Sequence, residues 1–280
     1  MRRDESGNRF VMPALVMLSA FTVYPIVYVI YLSLQRRLLV FDISRFVGIE
    51  NYRFLLSDMR FWNALKNTVY FTIASVSLEF LLGLSIAVLL NREFRCKGFV
   101  RAVVLIPWAI PTVVSARMWE WMYNTDFGIL NYLLGANVNW LGSQFWALNA
   151  AVFMDVWKTT PFVAILLMAG LQVIPRELYQ AARVDGAGNW EIFRRITMPL
   201  LTPVILVVLI FRTLDAFRVF DAIYVLTGGG PANTTETLSI YAYKILFQTL
   251  QFGYGSTLSV VIFMCIGGIT VFYIRLLTKR

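Results

Sequence analysis

The sequence contains no histidine. That absence removes Ser-His nucleophilic pairs, HExxH metalloprotease chemistry and histidine metal ligation together. Cysteine is almost absent: Cys96 and Cys265 stand far apart, each in or near an apolar run. They are expected to be unpaired packing residues, with no disulfide or metal site. No GxxxxGK[ST] segment occurs, so the chain lacks the backbone cradle in which ATP phosphates usually sit. No pair of carboxylates stands in a stretch that reads as a soluble cleft. No catalytic residue, cofactor or metal is therefore expected. Charge is scarce as well: 15% of residues are Asp, Glu, Lys or Arg, against about a quarter in a soluble domain.

What is abundant is apolar sequence, 59% of the chain. This is the composition of an integral membrane protein. The net charge of +9 would suit nucleic acid, but the basic residues are scattered at the ends of apolar runs, where membrane topology places them. No nucleic-acid partner is expected; membrane lipid is.

Six apolar runs are long enough to span a bilayer. The first, Phe10 to Leu34, follows Arg2, Arg3 and Arg9. It is too long for the apolar region of a signal peptide and shows no small-x-small cleavage site, so it reads as a transmembrane helix with a kink at Pro25. The others are Val69 to Leu90, interrupted by Glu79, then Phe99 to Tyr123 with Pro107 and Pro111, Phe145 to Val173, Leu200 to Leu226, and Thr257 to Leu277. The expectation is an all-α membrane protein of six transmembrane helices. Residues 1–66 would form the first helix and first external loop, and residues 67–280 the core. Gly228-Gly229-Gly230-Pro231 has neither the Lys nor the following helix of a phosphate loop and reads as a turn. With both termini in the cytoplasm, the inner segments carry 14 Lys and Arg, the outer loops 7, and the spans the remaining four. That bias supports cytoplasmic termini, although the first outer loop alone holds six.

Charges inside the spans are costly, at roughly 2.5–3.5 kcal/mol each on insertion scales. In the fifth span Arg212, Asp215, Arg218 and Asp221 fall at successive i, i+3 positions, a ladder of alternating sign on one helix. In the fourth, Asp155 and Lys158 repeat the spacing beside Trp157 and Pro161. Asp155, Trp157, Lys158, Asp215, Phe217, Arg218 and Asp221 are the candidates for a polar translocation path, with Arg212 and Asp221 holding the ladder in register. The alternative is a buried ion-pair lock between the two spans.

The longest polar interruption of the later chain is Ile174 to Pro203. Pro175 suits the first turn of a helix. Leu178, Ala181, Ala182 and Asp185 share a face, and Gly186 can end the helix in the left-handed conformation. Asn189 can cap a second short helix bearing Trp190, Phe193 and Ile196, and Pro199 would stop it or mark the re-entry into membrane. A helix–Gly–helix elbow with large apolar side chains is a docking surface in outline.

The order Ala181-Ala182, Gly186, Ile196, Met198-Pro199 resembles the EAA loop of permease subunits of ABC importers, with Gln180 where Glu is usual. The resemblance implies a type I ABC importer permease fold, with a coupling loop over 174–199 between spans four and five. Glu177, Gln180, Ala181, Ala182, Asp185, Gly186, Trp190 and Phe193 would then meet the ATPase. It also implies a second, homologous permease, two ATPase subunits and an external solute-binding protein. The run Gly48, Asn51-Tyr52, Phe61-Trp62, Ala64, Asn67-Thr68 resembles the first external segment of sugar-importer permeases. VWKTTPF and FRTLDAFRVFDAIYVLTGG look like trehalose- and maltose-type members. Glycerol-3-phosphate or polyol permeases share the architecture. A self-sufficient secondary transporter would need an ion-coupling site and usually an internal repeat; no repeat is visible, and the elbow occurs once.

Overall fold

The computed structural model describes residues 5–278, with side chains from Val11 onward. Arg2, Arg3, Lys279 and Arg280, and the side chain of Arg9, lie outside the described residues. In hydrocarbon each backbone N–H and C=O must be satisfied within its own segment, so long apolar runs become helices. Among the described residues five are long and apolar enough to cross a membrane: Val11–Ser33, Met59–Leu90, Trp146–Val173, Asn189–Phe217 and Phe252–Thr278. A bent pair of shorter helices makes a sixth when it is counted as one span.

Pro25 and Pro199 act through a common device. In the first span, α1 (Glu5–Leu18) widens into a π-turn, Ser19–Val23, and continues as α2 (Tyr24–Ser33). Tyr24 N–H bonds Ser19 O, so the ladder slips by one residue just before Pro25, which has no N–H to offer. The fifth span repeats this: Met198 N–H bonds Phe193 O at the end of the π-turn Phe193–Thr197, directly before Pro199. Of the two roles expected of Pro199 it therefore does not end its helix, and the chain stays helical from Asn189 to Phe217. The third span behaves differently. It divides into α5 (Lys97–Ala109) and α6 (Thr112–Met122), bent by 91°. Ile110, the residue before Pro111, is driven to φ −74°, ψ 133°, the extended region that Pro imposes on its predecessor.

Two compact units form. The first takes the described residues up to Phe61 together with Tyr241–Cys265. One residue after α2 comes a hairpin that the sequence reading did not place, β1 (Gln35–Leu38) paired antiparallel with β2 (Ile43–Phe46). Helix α3 (Glu50–Ser57) comes next. Asn51 Nδ2 donates to Ser33 O at 2.8 Å and Gln35 O at 2.9 Å, and Tyr52 shares a 2.7 Å hydrogen bond with Ser33 Oγ. The Asn-Tyr pair thus ties α3 to the end of the first span. Asp58 caps the next helix through Arg60 N–H and accepts the Tyr241 and Tyr254 hydroxyls, each at 2.5 Å.

Burial pushes the Asp58 carboxyl up, but the two phenols and the backbone N–H groups of Arg60 and Phe61 together outweigh it and hold the group below the usual carboxylate range. A depressed folded pKa contributes stability that is fully present above about pH 4, the unfolded value, and is lost as pH falls through the lower folded value. Wild-type protein is expected to melt earlier as pH drops below about 4. Asp58→Asn is expected to be weaker at neutral pH with a flatter acid limb. Thermal unfolding across pH checks this; equal acid limbs would remove Asp58 from the role.

The second unit runs from Trp62 to Ile240 and resumes at Ile266. It contains most of α4 (Met59–Leu90), then α5, α6, α7 (Ile129–Leu134), α8 (Trp146–Val173), α9 (Arg176–Val184), α10 (Asn189–Ile192), α11 (Met198–Phe217) and α12 (Asp221–Leu226). Helices α13 (Leu238–Tyr243) and α14 (Phe252–Thr278) complete the chain. Helix α8 is the core: 16 of its 28 residues are buried, and apart from the polar group at Asp155, Lys158, Thr159 and Thr160 its apolar residues are spread round the helix, as in an enclosed one. Close packing, rather than hydrophobicity, holds helices together in lipid. Gly83 shows this, since a Cβ there would lie 2.6 Å from Val163 Cγ1. Leu167 and Leu201 fill a neighbouring layer of the same core.

The expected fifth span, Leu200 to Leu226, is interrupted at Arg218–Phe220. No Pro or Gly marks the break. Thr237 Oγ1 donates to Val219 O at 3.2 Å, replacing a helical donor, and Phe220 stacks on Tyr224 with ring centres 5.2 Å apart. Gly228 and Gly229, at φ 59° and 92°, form the expected turn. Asn63 and Asn67 of α4 hold the segment beyond that turn, donating to Asn233 O at 2.9 Å and Glu236 O at 3.0 Å.

Candidate functional site

A cavity of about 550 Å³ opens in the second unit. It is built where two helices break. Trp108 and Thr112 flank the α5–α6 bend, while Arg218 to Phe220 form the α11–α12 break and Asp221 and Ala222 open α12. Irregular backbone at membrane depth is tolerated where it lines a cavity. Helix α8 contributes Asp155, Lys158, Thr159 and Phe162; α11 contributes Phe211, Arg212 and Asp215.

The charges are graded from dry to wet. Glu79, from the middle of α4, is completely buried behind the cavity. Arg212 grips it with two bonds, Nε to Oε2 at 2.6 Å and Nη2 to Oε1 at 2.8 Å. The Thr159 hydroxyl donates to Glu79 Oε1 at 2.5 Å. The remaining face of the guanidinium reaches Asp155 Oδ2 at 3.2 Å and Asp215 Oδ2 at 2.7 Å. Three helices thus meet at one side chain. Toward the opening, the side chains of Asp215 and Arg218 are 55% and 68% exposed and pair at 3.4 Å. Lys158, also buried, lines the cavity and makes no hydrogen bond or ion pair among the described residues. The lining carries Asp155, Asp215 and Asp221 against Lys158, Arg212 and Arg218, so it is formally neutral. Aromatic faces border it: Trp108 stacks on Phe162 with ring centres 5.8 Å apart.

The elbow is equally well defined. Helix α9 ends in a Schellman motif, with Ala187 N–H bonding Ala182 O at 2.9 Å and Gly186 N–H bonding Arg183 O at 3.1 Å. Gly186 has φ +82°. Pro175 sits one residue before the helix, and Gly188, not Asn189, holds the cap position of α10; Asn189 is its first helical residue and makes no capping bond. Val184 and Trp190 are 88% and 72% exposed, and Trp190 stacks on Phe193 at 5.7 Å. Glu177, Gln180, Ala181 and Asp185 are exposed on the same elbow, with Ala182 half-buried.

Residues 79–280 match the family described as binding-protein-dependent transport system inner membrane component. The chain belongs to this family. It is a multi-pass inner-membrane transport component and not an enzyme. Among similar proteins is the trehalose/maltose transport system permease protein MalF of Thermococcus litoralis, 45% identical over 278 residues, covering 98% of this chain and 94% of the relative. The trehalose transport system permease protein SugA of Mycobacterium tuberculosis is 44% identical over 267 residues, covering 95% of this chain and 86% of the relative. The fold matches a bacterial ABC transporter involved in import of the acidic polysaccharide alginate, with TM-score 0.85 and 23% identity over 99% of this chain and 96% of the other. The chain has the type I ABC importer permease fold expected of it.

The structure of this permease brings Asp155, Lys158, Asp215, Arg218 and Asp221 to one cavity. It leaves out two of the candidates: Trp157 packs edge-on against Trp119 with ring centres 5.7 Å apart, and Phe217 is buried in the packing of α11. The ladder itself is corrected. Arg218 lies past the last residue of α11 and Asp221 opens α12, so the four charges do not share one helix. Asp221 pairs with no cation among the described residues, and Arg212 is the hub, not a flanking support. Sequence reasoning passed over Glu79 as an interruption. The signal for it was position, a lone carboxylate at the centre of an apolar run.

Proposed function

We propose that this permease imports a neutral carbohydrate of disaccharide class, trehalose or maltose, through the cavity of the second unit. The observation that carries the reading is the lining: formally neutral, rich in donors and acceptors, and bordered by aromatic faces. Such a surface suits hydroxyl groups and sugar C–H faces. A phosphate ester would call for an excess of cations, which disfavours glycerol-3-phosphate. The volume lies within the range of about 300–1,000 Å³ usual for ligand sites. The names of the Thermococcus and Mycobacterium relatives agree with this substrate class.

In this reading, Asp155, Lys158, Asp215, Arg218 and Asp221 contact the sugar in passage. The chain pairs with a second homologous permease, and two ATPase subunits and an external binding protein complete the transporter. The elbow, with Glu177, Gln180, Ala181, Ala182, Asp185, Gly186, Trp190 and Phe193, seats on an ATPase. Both termini are cytoplasmic. Residues 1–66 form the first helix and external loop, and residues 67–280 form the core.

Arg218→Ala tests the substrate path. Its pair with Asp215 is exposed, and such pairs contribute only about 0–1 kcal/mol, so the complex should assemble at wild-type yield. Binding-protein-dependent uptake of labelled trehalose and maltose should fall at least about tenfold, equivalent to about 1.4 kcal/mol, or shift between the two sugars. Asp215→Asn in the same chain should not restore it. Undiminished uptake of both sugars by Arg218→Ala would remove it from the path.

A further inference from the structure

The β1–β2 hairpin has no part in the cavity or the elbow, yet its chemistry is pronounced. Arg36 stands directly opposite Arg45 in the register. Opposed like charges destabilise a strand pair. Neither these two nor Arg37 has an ion pair or a side-chain hydrogen bond among the described residues, although Asp42 and Glu50 are near in sequence. Directly opposed residues share a face of the ribbon, so the Arg36–Arg45 pair lies beside the apolar pair Leu38–Ile43. The tip adds Leu39, Val40 and Phe41, all exposed, Phe41 by 72%.

The backbone holds this ribbon at the membrane surface. Its base leaves the first span after a single residue, with Val47 N–H bonding Leu34 O at 2.9 Å. Its far end is held to the chain just before the last span: Leu39 N–H bonds Leu250 O at 3.2 Å, and Leu38 bridges Gln251. Helix α14 starts at Phe252. Gly253 lets this happen, since a Cβ there would collide with the Gln35 carbonyl oxygen. Each end of the ribbon is thus fixed at the terminus of a membrane-spanning helix, the level at which a bilayer's headgroups begin. A cavity of about 440 Å³ at the hairpin is lined by the charged Arg36, Arg37 and Glu50 and the apolar Val40, Phe41 and Phe54.

We propose that the hairpin binds an acidic phospholipid of the leaflet at which the first span ends. Arg36 and Arg45 clamp the headgroup phosphate, neutralising the opposed cations, and guanidinium forks match phosphate oxygens in pairs. Arg37 faces the cavity, and Val40 and Phe41 cover the glycerol and upper acyl region. Glu50 accepts a headgroup hydroxyl. The site uses cations of the very loop that runs against the charge bias of the other outer loops. It does not depend on which sugar the permease carries.

The test uses the full transporter reconstituted in phosphatidylcholine vesicles containing trace spin-labelled phosphatidylglycerol or, separately, spin-labelled phosphatidylcholine. Wild-type protein is expected to hold the phosphatidylglycerol label in the motionally restricted population at least about fivefold more strongly, the factor for one basic residue at an anionic surface. Arg36→Gln with Arg45→Gln is expected to erase that preference while leaving the phosphatidylcholine label unchanged. Phe41→Ser, which alters no charge, should weaken the retention of phosphatidylglycerol. No preference in wild-type protein would overturn the proposal, even if the double variant failed to assemble. So would an unchanged preference in the double variant. Displacement by millimolar inorganic phosphate would show a free-anion site instead. Loss of binding-protein affinity by the double variant in pure phosphatidylcholine, with lipid preference intact, would show a protein-docking surface instead.

Discussion

Arg212→Met is expected to leave little assembled transporter in the membrane. The side chain is 5% exposed and its chief partner Glu79 is fully enclosed. Removing the cation strands Glu79 and Asp155 without their main donor. Breaking a buried pair in this way costs about 3–5 kcal/mol, a large part of the stability of an ordinary domain. Neutralising the stranded carboxylate should recover part of the loss, so Arg212→Met with Glu79→Gln is expected to assemble better than Arg212→Met alone. Arg212→Lys should fall between, because an ammonium cannot reproduce the two-pronged grip on Glu79. Size-exclusion profiles of fluorescently tagged complex would measure all three. Wild-type yield from Arg212→Met would show that the hub is not structural. The lock and the path, which read as competing uses of one ladder, would then fall to different residues: the buried Arg212 and, in the proposed path, the exposed Arg218.

The second large effect is expected at the elbow. Gly186→Leu places a side chain at φ +82°, where an added Cβ meets no atom of the chain within 4 Å. The cost inside the permease is conformational only, roughly 1–2 kcal/mol for a left-handed residue, and the protein should reach the membrane at near-normal levels. Uptake should nevertheless collapse, because the branched side chain would project from the face proposed to seat the ATPase and loosen the Schellman cap. Gly186→Asn is the control, since Asn accepts the left-handed conformation and should retain most uptake. The paired readouts are membrane level and substrate-stimulated ATP hydrolysis by the complex. If Gly186→Leu transports like wild type, the elbow does not seat an ATPase.

Local signals in the sequence marked much of this. Apolar length located the spans, Pro107 and Pro111 marked a break, and Gly186 marked a left-handed cap. Spacing failed where partners come from elsewhere in the chain. An i, i+3 pattern can pair Arg212 with Asp215, but it cannot find Glu79, which lies 133 residues away. It also presumes an unbroken helix, and the break at Arg218–Phe220 carries no Pro or Gly to announce it. The hairpin escaped notice for a similar reason. Its strands are four residues each and draw part of their hydrogen bonding from Leu250 and Gln251 near the other end of the chain. The π-turns were hidden too, since a proline tells where a ladder must open but not whether it will slip by one residue or snap.

That slip has a mechanical consequence. Because Pro199 is absorbed without a break, Trp190 and Arg212 ride on one continuous helix, Asn189–Phe217. At about 1.5 Å per residue the two side chains are attached roughly 33 Å apart. A rod of that length works as a lever. A tilt of about 5° at the Trp190 end would displace the far end by about 3 Å, as much as the full length of the hydrogen bonds that Arg212 makes. Pressing on the elbow would then unlatch the charge hub directly, with no relay of intervening side chains.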